Sequence, residues 1–191
     1  KKLLSVGCGS GLFESFIDSS GIEGIEPSID MGHIAEKRGV NIIKYALIED
    51  VELAHDYYDI IYFNGSSSYI EKLEPVYDKC FKALKKNGRL ILFDVPKESA
   101  FGFMYLLGKS LNTYDHEYLK GAMPSLPYPI DLASSGIWHT SEEKINILKS
   151  LGANKFTFYQ TLLRNPMYTN EEEDVSEGYK SGGYVAIIAE K

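Results

Sequence analysis

Gly7, Gly9 and Gly11 stand at alternate positions directly after the apolar run Leu3-Leu4-Ser5-Val6. A helix-like stretch, Leu12-Phe13-Glu14-Ser15-Phe16-Ile17, follows at once. Strand, glycine turn and helix in that order open an α/β nucleotide site. Gly7 and Gly9 permit backbone angles that a Cβ forbids, so a ligand can lie against bare main chain around Cys8 and Ser10. Gly11 lets the following helix pack close, with its first amides turned to the ligand. A second chemical group comes from Gly21-Ile22-Glu23-Gly24-Ile25-Glu26-Pro27-Ser28, which reads as a short strand ending in a carboxylate. A carboxylate there accepts hydrogen bonds from a ribose diol, and Glu26 lies at about the ~20-residue separation such sites use. Glu23 starts the strand, so Glu26 is preferred. Pro27 and Ser28 open a helix from Ile29 to Arg38, closed by Gly39.

The elements that must position these groups alternate in type. Asn41 to Ala46 reads as a third strand and Asp56 to Asn64 as a fourth. Val76, Cys80, Phe81 and Leu84 fall at helical spacing within a helix from Glu74 to Lys86, stopped by Asn87-Gly88. Arg89 to Asp94 is a fifth strand. Residues 97–138 break the alternation with an aromatic, partly helical stretch and a proline-broken loop. A connection this long is expected to cover a substrate. Thr140 or Ser141 caps a helix to Leu151, with Glu142 and Glu143 favourable in its first turn. Asn154–Leu163 and Gly183–Glu190 are two last strands that should pair antiparallel. The connection between them, Arg164 to Gly182, is expected to approach the site's rim.

The spacing G-x-G-x-G is not a dinucleotide fingerprint, because Leu12 stands where G-x-G-x-x-G needs its third glycine. It resembles motif I of the class I S-adenosylmethionine-dependent methyltransferases, in the small-molecule, type 11-like branch. Glu26-Pro27-Ser28 and its helix, the Asp59-Ile60-Ile61 core of the fourth strand, and Thr140-Ser141-Glu142-Glu143 are similar to later elements of that family in the same order. The resemblance implies an α/β fold: a Rossmann-like, doubly wound, seven-stranded, mostly parallel sheet with an antiparallel last strand. It implies one domain over residues 1–191, with residues 97–138 as the cover.

By the same resemblance the cofactor is S-adenosyl-L-methionine and the product S-adenosyl-L-homocysteine. The implied contacts are Gly7 to Gly11, Glu26 to Ser28, Ala46, Leu47 and Ile48 around the adenine, and Asn64. The reaction is in-line displacement on the sulfonium methyl group, promoted by positioning and desolvation. A base is needed only where the acceptor must lose a proton before attack. His139, after the cover, is the candidate base. Tyr69, Tyr105 and Trp138 are candidate substrate contacts, with His116 and Tyr114 as further candidates; Trp138 reads equally as a hydrophobic staple for the next helix. Two departures stand out. Ser5 occupies the position of the family's acidic residue before motif I. The sequence also opens at the first strand, where the family carries covering helices; either that cover lies outside this sequence or the lid comes from elsewhere. Alternatives are a non-catalytic cofactor- or partner-binding module and a nicotinamide-dependent reductase.

Composition narrows the partners. A net charge of −7 disfavours nucleic acid. The cationic run Lys72, Lys79, Lys82, Lys85, Lys86 and Arg89 reads as a solvated helix face. Asn64-Gly65-Ser66-Ser67 lacks the prolines of the amino-methylating DNA enzymes. No run of about 18 apolar residues indicates a membrane span. Two cysteines, Cys8 and Cys80, imply neither a metal cluster nor a disulfide framework, and suit a reducing cytoplasm. A small-molecule acceptor is the expected partner.

Overall fold

A computed structural model describes every residue except 18–20 and 169–170. Strands β1 (Leu3–Val6), β2 (Ile22–Ile25), β3 (Asn41–Lys44), β4 (Tyr58–Asn64) and β5 (Leu84–Asp94) run parallel. Strands β6 (Lys155–Thr161), β7 (Ser176–Glu177) and β8 (Tyr184–Glu190) complete one sheet in the order β3-β2-β1-β4-β5-β8-β6-β7. β8 is antiparallel to both neighbours, so β6 points the same way as the first five strands. Among the described residues the sheet thus has eight strands where the sequence predicts seven. The extra one is the two-residue β7, paired to β6 within the Arg164–Gly182 connection. Its polar sequence carries no apolar alternation to announce it.

Leu4, Val6, Ile61, Phe63, Leu90 and Leu92 face one side of the sheet and are fully buried. Helices α3 (Leu73–Ala83) and α6 (Ser141–Ser150) cover that side through Val76, Tyr77, Cys80, Ile145 and Leu148. On the other side, the single turn α1 (Leu12–Ser15) sets Phe13 against the rings of Tyr62 and Phe93, at 5.8 and 5.5 Å. Helix α2 (Ile29–Lys37) is capped by Ser28, whose hydroxyl accepts from the Met31 amide. α3 ends at Ala83, three residues before its predicted last residue, Lys86. Its last carbonyls accept instead from the incoming chain: Asp56 N–H bonds Lys82 O and Tyr57 N–H bonds Ala83 O. Leu84 then turns into the sheet opposite Tyr58.

Residues between β5 and α6 build a second, smaller apolar cluster. It centres on Phe101, Met104 and Tyr105 of α4 (Ala100–Leu111), with Ala133 of α5 (Ile130–Ser135) and Trp138. Ser99 caps α4 by accepting from the Gly102 amide, and Asn112 ends it in the left-handed conformation. Of the two predicted caps for α6, Thr140 is the one that acts, accepting from the Glu143 amide at 3.1 Å. Among the described residues no helix is long and apolar enough to cross a membrane.

Candidate functional site

Strand order reverses between β1 and β4, and a ligand crevice opens at the carboxyl ends of strands at such a switch point. Val6, Ile25 and Asn64, the last residues of β1, β2 and β4, all line a cavity of about 490 Å3 there. The size lies within the roughly 300–1,000 Å3 usual for small-molecule sites. Gly7, Gly9 and Gly11 all have positive φ. A Cβ on Gly7 would sit 2.6 Å from Cβ of Ser66, and one on Gly11 would press 3.0 Å from Ala35. Those two glycines therefore let the loop seat on the protein, whereas Gly9 faces open space beside Met31.

Glu26 is buried at the cavity wall. Its Oε2 accepts from the Gly9 amide at 2.8 Å and its Oε1 from the Ser28 amide at 2.9 Å. Each carboxylate oxygen keeps a further lone pair, so the group that shapes the loop can still accept from a diol. Glu23 lies at the opposite end of β2, where it accepts from Tyr58 Oη at 2.7 Å and pairs with Lys2. Burial, reinforced by the charges of Glu14 and Glu26, pushes the Cys8 thiol up to about 12. Cys8 is thus a neutral packing residue. Cys8, Ser10, Gly11 and Ser28 shape the loops around the cavity without lining it.

The position left open by Ser5 has a carboxylate after all. Glu14 is almost completely buried, and its Oε1 accepts from Ser5 Oγ at 2.6 Å and Tyr62 Oη at 2.9 Å. Its Oε2 is buried without a hydrogen-bond partner. The sequence signal was an acidic residue in the first turn after the glycines, facing a serine where the family's motif has an acid.

Ala46, Leu47 and Ile48 form an apolar wall of the same cavity. The ammonium of Lys79 holds this loop, donating to the carbonyls of Ile48, Glu49 and Val51 at 2.9, 2.8 and 3.0 Å. Lys79 is therefore not part of a merely solvated face, as the helical spacing suggests. A glycine turn, a carboxylate with lone pairs to spare and an apolar slot thus line one cavity.

A second cavity of about 220 Å3 adjoins the first and shares Gly65, Tyr69 and Tyr128 with it. Asp94, Val95, Tyr105, Trp138 and Tyr184 complete its wall. Tyr69, Tyr105 and Trp138, far apart in sequence, are brought together here. Tyr105 stacks on Trp138 with centroids 5.0 Å apart, and the Tyr69 and Tyr128 hydroxyls hydrogen-bond each other. Trp138 Nε1 donates to Ala133 O, so the indole belongs to the small apolar cluster and is not a staple for α6. Tyr184 donates to Asn64 Oδ1, which fixes that amide at the junction. At the base, Asp94 accepts from Lys144 Nζ at 2.7 Å and from Ser68 Oγ at 2.9 Å. Tyr128, Tyr184 and Asp94 were missed by the sequence reading, since no local motif marks them.

His139 is not brought to either cavity. Its buried ring sets Nε2 2.8 Å from the carbonyl of Ile70 and Nδ1 3.3 Å from Glu143 Oε1. A carbonyl only accepts, so Nε2 carries a proton and donates it. The ring ties α6 to the segment before α3, and Ile70 in turn lines the larger cavity. His116 and Tyr114 also line neither cavity. His116 Nδ1 accepts from its neighbouring Tyr118 amide, and Tyr114 packs into the insertion's apolar cluster.

Fold and site together give an α/β protein with a small-molecule-sized crevice at the β1/β4 switch point. Residues 4–92 match the family model described as a methyltransferase domain. The chain is 28% identical over 190 residues to the uncharacterized protein MJ1123 of Methanocaldococcus jannaschii, covering 98% of this chain and 81% of that one. It is 24% identical over 208 residues to the malonyl-[acyl-carrier protein] O-methyltransferase 2 of Ilyobacter polytropus, covering 97% and 78%. Its fold superposes with TM-score 0.80 and 27% identity on a Thermotoga maritima structure described as an S-adenosylmethionine-dependent methyltransferase, possible histamine N-methyltransferase, over 100% of this chain and 81% of that one. Over residues 4–92 the chain is similar to the methyltransferase domain family, and over its whole length its fold is similar to that of an S-adenosylmethionine-dependent methyltransferase.

Proposed function

We propose that the protein transfers the methyl group of S-adenosylmethionine to a small molecule held in the ring-lined cavity. The observation that carries this is the junction: the adenosyl-sized cavity and the smaller one meet at Gly65, Tyr69 and Tyr128. In this reading the backbone at Gly7 and Gly9 meets the amino-acid end and Glu26 the ribose hydroxyls. Pro27 and Ala46 to Ile48 flank the adenine, and Asn64 stands at the junction. The bound cofactor supplies an electrophilic methyl group; the protein aligns an acceptor with it and excludes water. Residues 97–138 act as the cover, because Tyr128 and Leu132 reach the larger cavity while Tyr105, Tyr128 and Trp138 wall the smaller. The named activities of the Ilyobacter and Thermotoga relatives support methyl transfer and differ in the acceptor.

Calorimetric titration with S-adenosylmethionine and S-adenosylhomocysteine tests the cofactor site, and labelled-methyl transfer to a metabolite panel tests turnover. Hydrogen exchange across 97–138 should slow when product cofactor and acceptor are both present. Failure of both cofactor forms to bind overturns the reading.

A further inference from the structure

We propose that the acceptor is an amine, and that Tyr69, Tyr105, Tyr128, Trp138 and Tyr184 form an aromatic cage for the cationic N-methylated product. This rests on the methyl-transfer reading above and adds the acceptor atom.

Three observations select nitrogen. The first is the wall itself. Five rings surround a space of about 220 Å3, with Tyr105 tilted against Tyr128 at 5.7 Å and stacked on Trp138 at 5.0 Å. Ring faces carry the negative part of the aromatic quadrupole and attract a cation, most strongly where water is excluded.

The second is the fixed charge. Asp94 is the one ionisable carboxylate or amine in that wall among the described residues, and Lys144 neutralises it. Lys144 faces Asp94, and the nearby Lys109 donates to Gly136 O at 2.7 Å. A carboxylate or phosphate acceptor would enter this cavity without a cation to meet it, and its desolvation would go uncompensated. A cation loses less, because the rings and the Asp94 dipole remain.

The third is the lack of a base. The Asp94 oxygens accept from Lys144 and Ser68, and His139 points its ring to Ile70. Burial keeps the phenols of Tyr69 and Tyr184 neutral well beyond the usual range and raises Tyr105 to about 12. A hydroxyl acceptor must give up a proton during attack, and the one carboxylate in this wall among the described residues, Asp94, is held in a buried ion pair with Lys144. An amine that enters as the free base, having left its proton to bulk water, needs no such help. Its lone pair forms the N–C bond as the C–S bond breaks, and the C–S electron pair stays on sulfur. The positive charge moves from sulfur to nitrogen, inside the cage. A primary or secondary amine then releases its proton to water.

Choline and 3,3-dimethylbutan-1-ol have the same shape and differ in the charge at the quaternary centre. Each is titrated calorimetrically into the protein, with and without S-adenosylhomocysteine. Choline is expected to bind about tenfold tighter or better, in line with a desolvated cation–π site. Tyr128→Phe should keep that preference and Tyr128→Leu should lose it. Equal affinities, a preference for the alcohol, or no choline binding overturns the proposal. So does labelled methyl recovered on oxygen or carbon while matched amines stay unlabelled. Separate titration with S-adenosylhomocysteine distinguishes the failures. If it binds and choline shows no preference, only the amine assignment falls; if it does not bind, the methyl-transfer reading falls.

Discussion

Ser5 Oγ on β1 donates to Glu14 Oε1 on α1 at 2.6 Å, with both side chains closed off from solvent. Tyr62 on β4 donates to the same oxygen. One carboxylate oxygen thus pins the turn behind the glycine loop to two neighbouring strands. An acid at position 5 would meet Glu14 as a second buried anion, so the serine follows from the glutamate. Glu14→Ala leaves two buried hydroxyls without an acceptor, each worth about 1–3 kcal/mol. At roughly 2–4 °C per kcal/mol for a chain of this size, the thermal midpoint should drop by several degrees. Glu14→Gln keeps one acceptor oxygen and should lose less. An unchanged midpoint for Glu14→Ala would remove the pin from the account.

Glu26 and Glu23 sit at opposite ends of one strand, so a pair of single variants separates them. Glu26→Ala removes a charged acceptor facing the cavity, worth roughly 1.5–3 kcal/mol. It also frees the Gly9 amide it now holds. Affinity for S-adenosylhomocysteine should fall about ten- to a hundredfold, whereas Glu23→Ala should leave it nearly unchanged. The reverse ranking in calorimetry would move the ribose to another group.

Much of this was legible in the sequence because the first half of the chain is local. β1, its glycines and Glu26 fall in one continuous stretch, and apolar runs such as Ile60-Ile61-Tyr62-Phe63 announce strands buried on both faces. The acceptor end was legible only in pieces. Tyr69, Tyr105, Tyr128, Trp138 and Tyr184 come from five segments, and only tertiary packing shows that they share a wall. His139 misled for the same reason: proximity in sequence to the cover says nothing of where its ring points. Glu74–Lys86 ran too long as a helix because apolar spacing continues to Leu84, while the carbonyls at its end are taken by Asp56 and Tyr57.

Stability should decline at alkaline pH. Burial pushes the Cys80 thiol up from about 9 to about 12, and the Tyr105 phenol from about 10 to about 12. The unfolded chain releases these protons near the ordinary values while the folded chain retains them. In that window the folded state binds more protons, so its stability falls as pH rises. The contribution is complete below about pH 9 and is lost progressively toward about pH 12. Denaturant midpoints should therefore fall from pH 9 to 11, and Cys80→Val should flatten the early part of that fall. Iodoacetamide should modify Cys80 in the folded protein far more slowly than a free thiol at pH 8.5. A midpoint that holds steady to pH 11 would contradict this.

Lys79 offers the sharpest test of how the Ala46, Leu47 and Ile48 wall of the larger cavity, proposed to flank the adenine, is held. Its ammonium bonds the carbonyls of Ile48, Glu49 and Val51 in the loop after Leu47, from a helix that otherwise reads as a solvated cationic surface. Lys79→Met keeps the aliphatic stem and removes the donors. Charged hydrogen bonds of this kind contribute about 1.5–3 kcal/mol where they are shielded, and part of this cluster is exposed, so a loss near the lower end is expected. S-adenosylhomocysteine affinity should drop about tenfold. Hydrogen exchange at the amides of Asp50 and Val51, which bond Leu47 O and Ile48 O, should quicken. Lys82→Met is the control: its exposed pairing with Asp78 one turn away is worth about 0.3–0.5 kcal/mol, and neither affinity nor loop exchange should move. Equal behaviour of the two variants would mean that the loop holds its shape without the lysine.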